Sequence, residues 1–118
     1  MKIKVTFIFS TLLILTGCGK KYSITPDSLP IAHVNQEYKQ IIKISGGKVF
    51  DQYASLETNI PKELGIIVQP VNDLDRYNIL EIKGIPKYQG EYTITINADF
   101  FGGGGAKINK AYILKIEP

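Results

Sequence analysis

The stretch Glu91-Tyr92-Thr93-Ile94-Thr95-Ile96-Asn97-Ala98 alternates polar and apolar residues without a break. That period of two puts Tyr92, Ile94, Ile96 and Ala98 on one face, the pattern of a strand with one side in a core. Ala111-Tyr112-Ile113-Leu114-Lys115-Ile116 repeats the pattern. Between the two segments, Gly102 to Gly105 supply the positive φ angles that a chain reversal needs, so a hairpin is expected. Upstream, Tyr38 to Ile44 runs into Ser45-Gly46-Gly47, and Val49 to Leu56 reads as the return strand of a second hairpin. Asn59-Ile60-Pro61 interrupts the pattern and Leu64 to Val68 resumes it. Asn72-Asp73-Leu74-Asp75 then turns the chain, and Tyr77 to Ile82 runs on to Gly84-Ile85-Pro86. No stretch carries a helical period. Short strands separated by turn signals at this spacing predict an all-β sandwich or barrel.

The first residues follow a different rule. Lys2 and Lys4 precede the apolar run Val5 to Leu15, the charged and apolar parts of an export signal. A helix needs roughly 20 apolar residues to span the hydrocarbon of a bilayer, and Gly17, Lys20 and Lys21 close this segment too early. Leu15-Thr16-Gly17-Cys18 comes directly after it and resembles the lipobox of bacterial lipoprotein precursors. The resemblance implies a signal peptide over residues 1–17, cleavage between Gly17 and Cys18, and a diacylglycerol and an N-acyl chain on Cys18. Two or more acyl chains anchor stably where one is marginal, so the lipid bilayer is an expected partner. Gly19 rather than aspartate follows Cys18. In a Gram-negative host the resemblance then implies the outer membrane, and otherwise the outer face of the cell membrane. Lys20, Lys21 and Tyr22 either solubilise the tether or rest on anionic head groups.

Removing residues 1–17 from 118 leaves 101, enough for one core and too few for two. The mature balance is 12 basic against 11 acidic residues, and the lysines are scattered rather than gathered in a stripe, which sets nucleic-acid binding aside. Cys18 is the single cysteine, so no internal disulfide can staple the domain.

The succession Leu29-Pro30, Val34, Tyr38, Gly46-Gly47, Ile60 to Ile66, Ile82 to Pro86 and Gly90 to Ile96 resembles the immunoglobulin-like domains of bacterial envelope proteins, relatives of cadherin-like dystroglycan modules. Asp99-Phe100-Phe101-Gly102 stands where such domains often carry an Asp followed by Gly. The resemblance implies an immunoglobulin-like antiparallel β-sandwich of about seven strands over residues 28–118, joined to the lipid by a short tether over residues 18–27. In such sandwiches a tyrosine near the start of strand F sends its hydroxyl back to the preceding corner, the role expected of Tyr92. Strand C lacks the usual tryptophan, which leaves Phe50 or Tyr53 to fill that space.

Catalytic signals are sparse. His33, the lone histidine, has no cysteine or carboxylate near it in sequence; no serine elbow, metalloprotease or phosphate-loop motif occurs, and the glycine run has no following Lys-Ser. No enzyme and no cofactor beyond the Cys18 lipid are expected. Asp73, Asp75 and Asp99 fall in turns at one end of the expected sandwich and form a candidate calcium group, since calcium takes oxygen ligands. The same strand count puts the B–C, D–E and F–G turns at the end nearest the membrane, which makes Phe100 and Phe101 candidates for the bilayer interface. Alternatively, Phe100 continues the inward face of strand F and Phe101 alone is exposed. The chain therefore reads as a membrane-anchored, non-enzymatic module for a protein or glycan partner at the envelope. A small protective lipoprotein against a toxin, an envelope hydrolase or a phage stands as the alternative.

Overall fold

The computed structural model describes residues 22–102 and 104–118. The expected signal segment with its expected cleavage position at Gly17, Cys18 as the expected lipid acceptor, and Gly19 to Lys21 lie outside the described residues. Eight strands follow in order: β1 (Ser23–Thr25), β2 (Ala32–His33), β3 (Tyr38–Ser45), β4 (Ser55–Thr58), β5 (Ile66–Pro70), β6 (Ile79–Gly84), β7 (Gly90–Asp99) and β8 (Lys107–Glu117). They form two sheets, ordered β1-β3-β6-β5 and β2-β8-β7-β4. Pairing is antiparallel throughout except for β2 on β8, which is parallel. This is the immunoglobulin-like order, with a first strand that serves both sheets in turn.

Each sheet turns its apolar period inward. Ile42, Ile44, Ile66, Leu80 and Ile82 face Ile94, Ile96, Tyr112, Leu114 and Ile116 across one continuous core. The strictly alternating segment read from the sequence is β7, and it pairs with β8 over ten residues from Gly90↔Ile116 to Asp99↔Lys107. Branched side chains lose little further rotamer freedom on a pleated surface, so this composition suits strands buried on one face.

Three expectations are corrected. Residues 38–44 and 49–56 do not form a hairpin: β3 pairs with β1 and β6, whereas β4 pairs with β7 in the other sheet. The glycine pair carries the chain across the sandwich, where Val49 bridges to Phe100 and the Phe50 amide donates to the Asp99 carbonyl at 2.8 Å. Neither Phe50 nor Tyr53 fills the core in place of a tryptophan; Val49 is fully buried there, and Leu56 packs against it from β4. The sandwich also begins before residue 28, because β1 is hydrogen-bonded to β3 within the stretch expected as tether.

Tyrosine hydroxyls tie down this first segment, and they are not the one expected. Tyr112 Oη donates to the Pro26 carbonyl at 2.6 Å and Tyr38 Oη to the Pro30 carbonyl at 2.9 Å. Both phenols sit in the core, with only their oxygens reaching the backbone of the crossing strand. Tyr92 is half-buried, with its ring against Gly90 and its hydroxyl near Tyr88. Among the described residues it donates to no backbone carbonyl.

The outer strands are short. β1 has three residues, β2 two, β4 four and β5 five, the last ending at Pro70, and these four form the edges of the two sheets.

Replacing Ile94 by Ala should cost about 2–5 kcal/mol through a core cavity, and Tyr112→Phe about 0.5–1.5 kcal/mol through one lost hydrogen bond. Urea unfolding of a chain beginning at Gly19 checks the order; equal and negligible losses would contradict the packing described. Burial pushes the Tyr38 and Tyr112 hydroxyls up to about 12, the latter with help from the Asp27 charge. A raised phenol favours the neutral folded form, so its stabilisation is intact below pH 10 and is lost as pH rises towards about 12. The urea midpoint should fall across that window, and fall less in Tyr112→Phe than in the parent.

Candidate functional site

Strand directions sort the connections into two ends. β1 starts where β3 stops, with Ser23 opposite Ser45, and β7 stops beside the start of β8. The chain therefore enters the sandwich at the end that carries the 45–48 turn, the 71–78 turn and the 100–106 loop. The other end carries the 34–37, 59–65 and 85–89 connections and the carboxyl terminus.

At the entering end the contacts are dense. The Tyr22 ring stacks on Phe100 with centroids 3.8 Å apart and planes 19° from parallel. A Cβ on Gly47 would meet the Tyr22 ring at 2.8 Å, so a glycine there lets the ring lie flat on the turn. Phe100 is 6% exposed, which removes it from the candidate interface and gives it to the core; Phe101 is 54% exposed. The difference is that of successive residues on a strand, which point to opposite faces. Phe101 is held by its amide, which donates to the Lys48 carbonyl at 3.1 Å, and by its ring, 4.3 Å from that of Phe50. Phe50 in turn meets Tyr53 edge-on at 4.8 Å. Gly102, Gly104 and Gly105 all have positive φ, the reversal the sequence signalled.

The neighbouring turn is fastened to this cluster through Lys48 and Asn78. Lys48 Nζ donates to the carbonyls of Leu74 at 3.1 Å and Asp75 at 3.4 Å. The Asn78 amide group donates to the carbonyls of Ile44 at 3.1 Å and Gly47 at 2.9 Å, while its oxygen accepts from the Val49 amide at 2.9 Å. One side chain so fixes the end of β3, the crossing turn and the start of β6. Asn72 shapes the tip of its turn, its Oδ1 accepting from the amides of Leu74 and Asp75 at 2.9 and 2.7 Å. That leaves the Leu74 side chain 86% exposed.

The candidate calcium residues share this end without converging. Asp99 pairs with Lys107 at 3.1 Å, Asp75 accepts from Asn72 Nδ2 at 2.9 Å, and Asp73 is exposed. Among the described residues no three His, Cys, Asp or Glu side chains come together to hold a metal. His33 lies exposed on β2 opposite Glu117, at the far end of the molecule.

That far end holds a shallow groove of about 620 Å³ on the outer face of the first sheet. Ile67 and Ile85 give it an apolar floor, with Lys39, Lys83 and Lys87 around them. Gly65 and Gly84 shape it: with φ of +141°, a Cβ on Gly84 would collide with the Gly65 carbonyl oxygen. Just beyond, Glu81 is held below the usual carboxylate range by the Gln69 hydrogen bond, against desolvation and with the aid of Lys83.

The sequence marks Tyr22 only as part of the tether with Lys20 and Lys21, and gives Leu74 and Asn78 no role beyond a turn and a strand.

Asn78→Ala should cost about 1.5–4 kcal/mol, three hydrogen bonds at their usual net worth, and speed amide exchange across residues 44–49. Asn78→Asp keeps the acceptor for the Val49 amide but sets a carboxylate oxygen against the carbonyls of Ile44 and Gly47, so it should cost at least as much as Asn78→Ala. Mass-detected hydrogen exchange with urea unfolding reads both; unchanged exchange at residues 44–49 in Asn78→Ala would contradict the bracing role.

No protein-family model and no curated protein sequence matches the chain. Among solved structures, the SrpA adhesin of Streptococcus sanguinis superposes with a TM-score of 0.53 at 19% identity, covering 85% of this chain and 59% of the adhesin chain. A single-site variant of that adhesin gives 0.50 and 16%, covering 83% and 56%. The chain thus spans less than two thirds of the adhesin chains it matches. At these identities the likeness is one of fold, and it agrees with the immunoglobulin-like sandwich built from the strand order.

Proposed function

We propose that the protein is an envelope lipoprotein whose immunoglobulin-like domain, held to a membrane through a lipid on Cys18, binds a protein or glycan partner without catalysing a reaction. The observation that carries the reading is the way the chain enters the sandwich. Tyr22 is already packed on Phe100 and β1 already paired with β3, only four residue steps from Cys18. A lipid at Cys18 then leaves almost no free tether, and the domain works as a fixed head.

Two further findings support it. Leu15-Thr16-Gly17-Cys18 has the residue types of a lipobox at the end of a short apolar run. The sandwich also shares its fold with an adhesin, a protein whose task is attachment. An entering end close to the bilayer turns the opposite end outward, so the partner meets the connections around residues 34–37 and 85–89 and the lysine-lined groove beside them.

Intact mass of the membrane-extracted protein should show a chain that begins at Cys18 and carries diacylglycerol and an N-acyl chain. Cys18→Ser should leave the membrane fraction. A mature chain without lipid mass, or a Cys18→Ser protein that stays membrane-bound, would sink the proposal.

A further inference from the structure

We infer that the entering end of the sandwich is a bilayer-contact surface, on which Phe101 and Leu74 insert at the lipid interface and fix the domain with its groove outward. The inference rests on the anchoring proposed above and adds to it a second, non-covalent attachment.

Chain length and apolar exposure both point there. Four residue steps reach at most about 13–14 Å when extended, so a lipid on Cys18 holds Tyr22 within that distance of the interface. Tyr22 is stacked on Phe100, and Phe101 is the next residue, so the loop cannot swing away from the anchor without unstacking the ring. The head-group layer on each side of a bilayer is roughly 5–8 Å deep, within that reach. Solvent at this end meets Phe101, Leu74 and Tyr53, large apolar or aromatic side chains on two loops and the crossing segment. Aromatic rings are favoured at the lipid interface, and apolar side chains bury there by about 5–10 Å.

The charges nearby make the contact apolar rather than electrostatic. Asp51 is flanked by Lys48 at 3.9 Å and Arg76 at 3.6 Å, and Asp99 is paired with Lys107, which leaves Asp73 and Asp75 beside the tip, the latter on the Asn72 amide. Basic and acidic groups largely cancel within the described residues. Insertion is therefore expected in neutral phosphatidylcholine and in the presence of salt.

The chain contains no tryptophan, so each substitution places a single reporter. Full-length protein carrying Phe101→Trp, Leu74→Trp or Ile85→Trp is matured in cells and reconstituted in phosphatidylcholine vesicles with brominated acyl chains. The fluorophores of Phe101→Trp and Leu74→Trp should be quenched at least about twofold more than that of Ile85→Trp in the distal groove, with blue-shifted emission. Leu74 lies in an exposed turn, so its variant stands should Phe101→Trp fold poorly. Lipid mass on Cys18 with equal quenching at all three positions overturns the inference and leaves the anchor standing. A chain without lipid mass overturns the anchoring and this inference with it.

Discussion

The chain's one cysteine stands at position 18, so no disulfide bridges the two sheets and their spacing is set by what fills the gap between them. The filling is largely isoleucine and leucine, with Ile42, Leu80 and Ile82 on one side and Ile94, Ile96 and Leu114 on the other, all without solvent exposure. Interiors of this kind are packed as densely as organic crystals, and branched side chains have few rotamers through which to adjust. Everything else hangs on that spacing. Tyr112 can reach the Pro26 carbonyl only because its ring is wedged at a fixed depth in the core, and Val49 can bridge to Phe100 only because the crossing turn spans a gap of fixed width.

What was legible in the sequence follows from how local the cause is. The β7–β8 hairpin was plain, since strict alternation over eight residues and four glycines at the reversal are statements about neighbours. The all-β class and the strand runs around β5 and β6 were readable for the same reason. The pairing of residues 38–44 with 49–56 failed, because Gly46-Gly47 announces a change of direction without saying whether the next strand joins the same sheet. That choice depends on Asn78 and Phe100, which lie 31 and more residues further on. The tyrosines that tie down the first strand were missed likewise: a phenol with a distant carbonyl as partner looks, in sequence, like any other core aromatic. Phe100 and Phe101 were distinguishable by parity along β7, and the structure decides for burial of the first and exposure of the second.

The two ends of the sandwich differ in chemistry as well as in position. At one end Tyr22 stacks on Phe100, and Phe50 meets Tyr53 edge-on and Phe101 at a tilt, with ion pairs bracing the turns around them. Exposed pairs of that sort add little stability each, so the rings and the Asn78 hydrogen bonds carry the order of this end. The opposite end has lysines around an apolar floor, built where two glycines let strands approach without side chains between them. A domain tethered at the aromatic end has that second surface to offer to anything that arrives from outside.

Under the proposed anchoring through Cys18 the molecule would be restricted to a plane, and the brevity of the outer strands then takes on a further meaning. Copies so held would diffuse in two dimensions and meet flank to flank, which would bring sheet edge towards sheet edge far more often than tumbling in solution does. An edge of two to five residues, one of them closed by a proline without an amide proton, gives a neighbour too short a row of open donors and acceptors to extend. Crowding on the membrane can then raise the surface density of these heads without zipping them into fibres.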